Sequence, residues 1–170
     1  MNTEILMVVM GGTIDGRWSP ADDTVVMGGG TLIGQYLLET IRFIPDFNLK
    51  VVTLLDSRQI GDSLRAALVD FIRNSSYQKV LITHGTFTLA DTIEYIFINL
   101  GSDGRRIVAT GSFYPLSFGF GDAGFNLGFA LGALISSSEP GIFCAMHGNL
   151  FPAGTVRKDV RHALFTRKES

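Results

Sequence analysis

The sequence predicts an α/β protein with an open, doubly wound sheet of about five mainly parallel strands between two helix layers, flavodoxin- or Rossmann-like. Short continuous apolar runs recur along the chain, and segments with helical spacing of apolar residues alternate with them. Runs without apolar/polar alternation are typical of parallel strands covered on both faces. Right-handed crossovers then give an open sheet, and the chain length suits a single domain spanning residues 1–170.

Five apolar runs are predicted as the strands of this sheet. They are Ile5–Met10, Leu49–Leu55, Lys79–Thr83, Arg106–Thr110 and Gly141–Met146. All have an ordinary strand length and are far shorter than the roughly 20 apolar residues of a membrane-spanning helix. The sequence therefore predicts no membrane segment.

Four further segments carry apolar residues at the spacing that one face of a helix requires. These stripes are Ile33, Leu37, Ile41 and Ile44; Leu64, Leu68, Phe71 and Ile72; Ile93, Ile96, Phe97 and Leu100; and Leu127, Leu131, Leu134 and Ile135. Asp62 or Ser63 is predicted to cap the second helix, and Thr88 with Asp91 resembles a capping box for the third. Gly101 is predicted to end the third helix.

The composition excludes several functional classes. Apolar residues make up 46% and charged residues 18% of the sequence, which is not the composition of a disordered chain. A net charge of −2 provides neither the basic face of a nucleic-acid-binding protein nor a polybasic membrane anchor. The single cysteine, Cys144, is predicted to lie in the core and fits a reducing compartment. The N-terminus does not resemble a signal peptide, so we expect a cytoplasmic protein, and the apolar fraction favours a homo-oligomer (dimer or tetramer).

Small and hydroxyl-bearing residues follow every predicted strand. These segments are Gly11-Gly12-Thr13, Asp56-Ser57, His84-Gly85-Thr86, Gly111-Ser112 and His147-Gly148-Asn149. Ligands of open α/β sheets bind outside the carboxyl ends of the strands, where glycine permits close approach to the backbone. A hydroxyl at such a place is a candidate nucleophile when a base or cation lies near it.

Other motifs do not fit the sequence. Gly11–Gly16 has the glycine spacing of a phosphate-binding loop, but Arg17-Trp18 occupies the place of the required Lys-Ser/Thr. The first strand is not followed by G-x-G-x-x-G, and the chain contains no G-x-S-x-G nucleophile elbow. The histidines, at positions 84, 147 and 162, lack the spacing of metal ligands, and His84 is interpreted as a structural hydrogen-bonding residue.

Two segments resemble the signatures of the L-asparaginase/glutaminase family. Gly11-Gly12-Thr13-Ile14 is similar to the first, and Ile82-Thr83-His84-Gly85-Thr86 is similar to the second. Asp56-Ser57 resembles the segment that holds the α-carboxylate of the substrate, and Val156-Arg157-Lys158 falls where the family has its active-site lysine. The order and spacing match over nearly the whole chain, but only the N-terminal domain of the family is covered.

The resemblance implies hydrolysis of a side-chain amide, of asparagine or a related small amide, without a metal or organic cofactor. By this resemblance, Thr13 is expected to attack the amide carbon and form an acyl-enzyme, while Thr86 and Lys158 are expected to pass protons and activate water. Backbone N–H groups near Gly12 and Thr86 stabilise the oxyanion. The residues implied to bind the substrate are Gly12, Asp56, Ser57, Arg58, Gly85 and Phe87.

Phe87 stands where the family has an aspartate that contacts the substrate ammonium and links threonine to lysine. Without that carboxylate, a buried Lys158 is expected to have a lowered pKa, and Arg58 favours a more anionic ligand. Two alternatives therefore stay open. One is a binding module for small carboxylates or amides with impaired turnover, and the other is a subunit whose site a partner chain completes.

The segment Gly111–Gly121 is unusually aromatic for a loop. Its aromatic residues are Phe113, Tyr114, Phe118 and Phe120. Clustered exposed aromatics favour a subunit interface over a local mini-core. Asp122 and Asn126 either tie this loop to the fourth helix or belong to the site. Thr24 is a candidate replacement for the loop tyrosine of the family.

Overall fold

The computed structural model describes residues 4–101 and 103–169. Its strands are β1 (Ile5–Gly11), β2 (Arg17–Ser19), β3 (Thr24–Val26), β4 (Phe47–Leu55), β5 (Lys79–Thr83), β6 (Arg106–Thr110), β7 (Gly141–Met146), β8 (Asn149–Pro152), β9 (Val156–Asp159) and β10 (Leu164–Arg167). In this part of the chain, six strands form one sheet in the order β4-β1-β5-β6-β7-β8. The first five are parallel and β8 is antiparallel to β7, while β2 with β3 and β9 with β10 form separate hairpins.

The helices cover both faces of the sheet, which confirms the doubly wound prediction. They are α1 (Ile33–Gln35), which continues into a π-helical turn over Tyr36–Thr40, α2 (Asp62–Arg73), α3 (Leu89–Leu100) and α4 (Ala123–Ile135). One core cluster joins α2 and α3 to residues such as Val8 and Ile82. The other joins α1 and α4 to residues such as Val9 and Leu81, because successive side chains of a strand point to opposite faces.

The sheet differs from the sequence prediction at its two edges. All residues of β1 and β6 are buried, as predicted for strands covered on both faces. The same prediction is wrong for β4, where Val51 is 40% exposed, because β4 is an edge strand that pairs only with β1 in the described sheet. The other edge strand, β8, was not predicted.

The first helix is shorter than its apolar stripe predicts. It ends at Thr40, and the last two residues of the stripe, Ile41 and Ile44, are exposed. The π-helical turn shifts the helix register, so the next residue to reach the core is Phe43, which packs against the second cluster. Arg42 has a φ of 51°, which reverses the chain before β4.

The ends of the other helices correct three details. The second helix is capped by Gly61 rather than by Asp62 or Ser63. The predicted capping box of the third helix does not form, because the Thr88 hydroxyl donates to the carbonyl oxygen of Ser57. Ile135 is exposed at the end of α4, whereas the rest of its stripe is buried. Gly101, with a φ of 65°, ends α3 as predicted.

The helices described here are all too short or too polar to cross a lipid bilayer. Cys144 is buried in β7, as predicted, and burial raises the pKa of its thiol.

Candidate active site

A cleft opens at the carboxyl ends of β1, β4 and β5. The chain runs from β1 to β4 on one side and then to β5 on the other, so the strand order reverses beside β1. Open α/β sheets bind ligands at such a switch point. The cleft has a volume of about 210 Å³ and is lined by Gly12, Thr13, Asp56, Ser57, Arg58, Gly85, Thr86, Phe87, Phe113 and Lys158. All nine residues that the sequence analysis assigned to the site therefore lie together, with Phe113 in addition.

Two glycines bring the loops of this cleft into contact. A Cβ atom on Gly12, which has a φ of 82°, would lie 2.1 Å from the Cα atom of Gly85. A Cβ atom on Gly85 would lie 2.7 Å from the hydroxyl oxygen of Ser57. Because only glycine leaves room for these approaches, the loops after β1, β4 and β5 stack closely. This stacking brings Thr13 and Thr86 to the same cleft.

Lys158 donates a hydrogen bond to Thr86. The distance from Lys158 Nζ to Thr86 Oγ1 is 2.8 Å, and Thr86 is buried. The lysine lies on β9 opposite Phe165 of β10. Val156 and Phe165 of this hairpin are buried in the first core cluster, so the hairpin is held by its own apolar side chains. A lysine from the last hairpin is thereby directed at a threonine that follows β5.

The surroundings of Lys158 lower the pKa of its ammonium group. Burial lowers the pKa of this lysine, the charge of Arg58 lowers it further, and the charge of Asp56 opposes both effects. This direction confirms the prediction made from the replacement of an acidic residue by Phe87. The ammonium group lies 5.4 Å from the ring centroid of Phe87 and 4.8 Å from that of Phe113, where aromatic faces attract a cation.

Asp56 and Arg58 form an ion pair at the rim of the cleft. Arg58 donates from Nε to Oδ1 at 3.0 Å and from Nη2 to Oδ2 at 2.8 Å, and its backbone N–H also donates to Oδ1. These hydrogen bonds hold the pKa of Asp56 below its ordinary value, so it is ionised at neutral pH. Between the two residues, Ser57 is buried, and its hydroxyl lies 3.4 Å from the backbone nitrogen of Thr88.

Thr13 begins a short 3-10 turn, Thr13–Asp15, directly after β1. Among the residues that the structure describes, no hydrogen-bond partner is found for its hydroxyl. The turn is anchored by Asp15, a buried carboxylate that accepts hydrogen bonds from the hydroxyl of Thr31 and the backbone of Leu32. The nucleophile candidate is therefore on a fixed turn with an uncommitted hydroxyl.

One predicted oxyanion donor is already used. The backbone N–H of Gly12 donates to the carbonyl oxygen of Leu55 at 2.9 Å, so this group is not available to an oxyanion. Within residues 4–101 and 103–169, the N–H groups of Thr13 and Thr86 have no backbone acceptor. These two groups are the ones that can meet a developing negative charge.

His84 is buried beneath the loop that carries Thr86. Its Nδ1 lies 2.8 Å from the carbonyl oxygen of Gly85 and donates to it, while Nε2 accepts from the hydroxyl of Thr92 at 3.0 Å. The same hydroxyl accepts from Nε of Arg65. Burial lowers the pKa of His84 to about 4, so the imidazole is neutral at neutral pH. This network supports the structural interpretation of His84.

The lowered pKa of His84 predicts a loss of stability in weak acid. Between the ordinary histidine pKa of 6.5 and about pH 4, the His84 side chain is protonated in the unfolded chain but stays neutral in the folded chain. The unfolding free energy should therefore fall by about 3 kcal/mol from this group between those values, since one pKa unit corresponds to about 1.4 kcal/mol. Urea unfolding at a series of pH values measures this fall.

The variant His84→Asn should lack this fall in the unfolding free energy, because asparagine does not titrate in this pH range. The variant His162→Asn is the matched control, since His162 is exposed and its replacement should leave the fall intact. Equal pH dependence in wild type and His84→Asn would contradict the assignment.

Phe113 is the lining residue that the sequence analysis placed elsewhere. Its ring stacks on His147 at a centroid distance of 5.6 Å and faces Lys158, so the interface prediction is wrong for this residue. Asp122 holds it there by accepting hydrogen bonds from the backbone of Phe113 and Tyr114. Asn126 donates to Asp122 and to the carbonyl oxygen of Gly111, so both residues tie the loop to α4.

Thr24 does not reach the cleft. It lies exposed in β3, where it pairs with Ser19 of β2. The replacement of the family tyrosine by Thr24 is therefore a wrong prediction for this conformation. The loop that contains Thr24 is held by Arg17, which donates hydrogen bonds to the carbonyl oxygens of Gly28 and Gly30.

The fold and the cleft define an open α/β domain with a threonine–lysine site at the switch point of its sheet. The chain belongs to the asparaginase family: the family model described as Asparaginase, N-terminal, matches residues 4–165. A curated relative, the glutaminase-asparaginase of Acinetobacter glutaminasificans, is 28% identical over 166 residues, which cover 92% of this chain and 50% of the relative.

Several solved structures share this fold. The thermostable L-asparaginase of Thermococcus kodakarensis has a TM-score of 0.77 at 24% identity, over 96% of this chain and 51% of that chain. L-asparaginase I of Vibrio cholerae has a TM-score of 0.81 at 23% identity, over all of this chain and 52% of that one. At such identities the likeness shows the fold alone. The chain spans about half the length of these relatives.

Proposed function

We propose that the protein is an asparaginase-like amidohydrolase that hydrolyses a side-chain amide through a threonine nucleophile. The observation that carries this proposal is the hydrogen bond between Lys158 and Thr86 in the cleft that also contains Thr13. A nucleophile candidate, a hydroxyl relay and a lysine of lowered pKa then belong to the same site. All three groups are supplied by one chain.

In the proposed first step, the Thr13 hydroxyl oxygen attacks the amide carbon. Its proton passes to the leaving nitrogen through the Thr86 hydroxyl and Lys158, whose lowered pKa lets it accept and return a proton. The carbon–nitrogen bond breaks and ammonia leaves, so an ester to Thr13 forms. In the second step, water adds to the ester by the same proton path, which frees the carboxylic acid and Thr13.

The other lining groups support this chemistry by position and charge. The N–H groups of Thr13 and Thr86 are the proposed donors to the oxyanion, which is a large contribution in acyl transfer. Gly12 and Gly85 keep the backbone of the cleft free of side chains, and Ser57 and Arg58 of the same lining are the proposed groups that hold the substrate carboxylate. The proposed steps use side chains and backbone of the chain itself.

Ammonia release from a panel of small amides tests the proposal. The panel contains L-asparagine, D-asparagine, L-glutamine and N-substituted and deaminated analogues, and trapping with hydroxylamine reports an acyl-enzyme. Turnover of at least one amide, with a hydroxamate product, is the expected result. If no amide releases ammonia while small carboxylates still raise Tm, the protein is a binding module on the same scaffold. Activity that appears only with a co-purified chain would indicate a site completed by a partner.

We further propose that the protein acts in the cytoplasm as a homo-oligomer. The single cysteine, Cys144, is buried as a free thiol, which fits a reducing compartment. Large aromatic side chains are exposed after β6 and at the start of α4, with Phe120 67% and Phe125 61% exposed. Exposed aromatic groups of this kind are typical of interfaces.

Sedimentation analysis should therefore give the mass of a dimer or tetramer. The variant Phe120→Ser should raise the dissociation constant about tenfold or more, because interface aromatics often contribute over 1 kcal/mol. Phe97→Ser is the matched control, since Phe97 is also exposed but lies on α3. A monomeric wild type, or equal effects of the two variants, would contradict this assignment.

A further inference from the structure

The charges that line the cleft are unequal. Among the lining residues that the structure describes, Arg58 and Lys158 are basic and Asp56 is the single carboxylate. Both oxygens of that carboxylate accept hydrogen bonds from Arg58, at 3.0 and 2.8 Å. Its charge is thus balanced by the protein itself, and no second acidic side chain of the described lining is left to pair with a cationic group of a ligand.

The aromatic surfaces of the cleft are also occupied by the protein's own cations. Arg58 lies 5.3 Å and Lys158 lies 5.4 Å from the ring centroid of Phe87. Lys158 also lies 4.8 Å from the centroid of Phe113. A ligand ammonium would compete with the Arg58 and Lys158 side chains for these ring faces, whereas an uncharged or acylated group does not need a cation site there. Half of the Phe87 side chain is exposed for such contact.

The size of the cleft limits the ligand. Its volume of about 210 Å³ is below the range of about 300 to 1,000 Å³ that is usual for larger ligands. A short dicarboxylic acid monoamide is small enough for this space, whose lining includes both Arg58 and Thr13. The cleft thus matches a small ligand with one negative charge.

We propose that the preferred substrate is an anionic monoamide of a dicarboxylic acid whose carbon beside the carboxylate has no free ammonium group. This inference rests on the proposed function and specifies its substrate class. The ammonium is either missing, as in succinamate, or masked by acylation, as in N-acetyl-asparagine, and Phe87 selects against the free form. Hydrolysis takes up one water and yields the dicarboxylate and ammonium.

Ammonia release from succinamate, N-acetyl-L-asparagine and L-asparagine compares the three ligand forms directly. The expected kcat/KM for succinamate or N-acetyl-L-asparagine exceeds that for L-asparagine by about tenfold or more, because the described lining has no unpaired carboxylate to compensate the ammonium. Equal or better turnover of L-asparagine would overturn the inference and leave the proposed function intact. The better of the two ammonium-free substrates shows whether the group is missing or masked.

The variant Phe87→Asp supplies the missing carboxylate, and Phe87→Leu removes the ring without adding charge. The aspartate variant should shift the preference toward L-asparagine by about 100-fold, since it places a carboxylate close to the ligand ammonium. The leucine variant should leave the preference within a factor of about three, because the apolar character is retained. A shift of the same size in both variants would overturn the assignment to charge.

A binding measurement separates this inference from the proposed reaction. Succinate, N-acetyl-L-aspartate and L-aspartate are the corresponding products, and the wild-type protein does not consume them. Succinate or N-acetyl-L-aspartate should raise Tm more than L-aspartate at equal concentration. This result without any amide turnover would refute the hydrolase proposal but support the ligand class. A larger shift with L-aspartate, or no shift with any of the three, would overturn the ligand class itself.

Discussion

Replacement of Thr13 by alanine is expected to lower kcat for amide hydrolysis by about 1,000-fold or more, since it removes the proposed nucleophile. The residue is half-buried, and within the described part of the chain its hydroxyl has no hydrogen-bond partner. The free energy of unfolding should therefore change by less than about 1 kcal/mol. The variant should thus lose kcat without losing unfolding free energy, whereas a structural role for Thr13 would lower both.

The control is Thr13→Ser, which retains the hydroxyl on the same turn. It should keep activity within about 100-fold of wild type and should still give a hydroxamate in the trapping experiment. The measurements are ammonia release under saturating amide and urea unfolding of each variant. Undiminished hydrolysis by Thr13→Ala would show that another group is the nucleophile.

The second large effect is expected for the pair Thr86 and Lys158. Lys158→Met and Thr86→Val should each lower kcat by about 100- to 10,000-fold, the usual contribution of a proton-transferring group. The double variant should be about as slow as either single variant, because the two groups act as one unit through a hydrogen bond of 2.8 Å. Independent, additive losses would contradict the shared proton path.

The pH profile of the same variants gives an independent readout. Since Lys158 has a lowered pKa and its neutral form is the proposed base, kcat should rise with pH through a pKa below the ordinary lysine value. Lys158→Met should lose this rising limb, while Thr13→Ser should retain it. If kcat of Lys158→Met still rises with pH through the same pKa, the titrating group is not Lys158.

The parts of the fold that periodicity determines were predicted correctly. The apolar runs that became β1, β5, β6 and β7 have matching neighbours on both faces, so their burial follows from their composition. The stripe of α1 failed beyond Thr40, because a π-helical turn shifts the register that a period of 3.6 assumes. The exposure of β4 depends on its place at the sheet edge, which an apolar run does not reveal.

The meeting of the strand-end candidates in one cleft was predicted because strand ends of an open sheet converge, whereas Lys158 was added from the family resemblance. Thr13 and Thr86 follow strands that turned out to be neighbours. The sequence placed Phe113 at an interface, because aromatic clustering in a loop does not show which way a ring points. Its inward orientation depends on Asp122, which joins the loop to the start of a helix. The sequence did contain a signal for β8, because a glycine between two apolar runs is typical of a tight hairpin turn. The structure has this turn at His147 and Gly148, whose φ values are 53° and 75°.

The hydrogen bond between Thr86 and Lys158 joins residues 72 positions apart and has a consequence for the order of assembly. The sheet strands β1, β4 and β5, and the glycine contact that brings the two threonines to one cleft, all precede the lysine in the chain. At about 5–20 residues per second, a ribosome adds Lys158 about 4 to 14 s after Thr86. A nascent chain that has already docked its early loops therefore still lacks Lys158, and the proposed proton path is complete only when the hairpin of β9 and β10 folds onto α3.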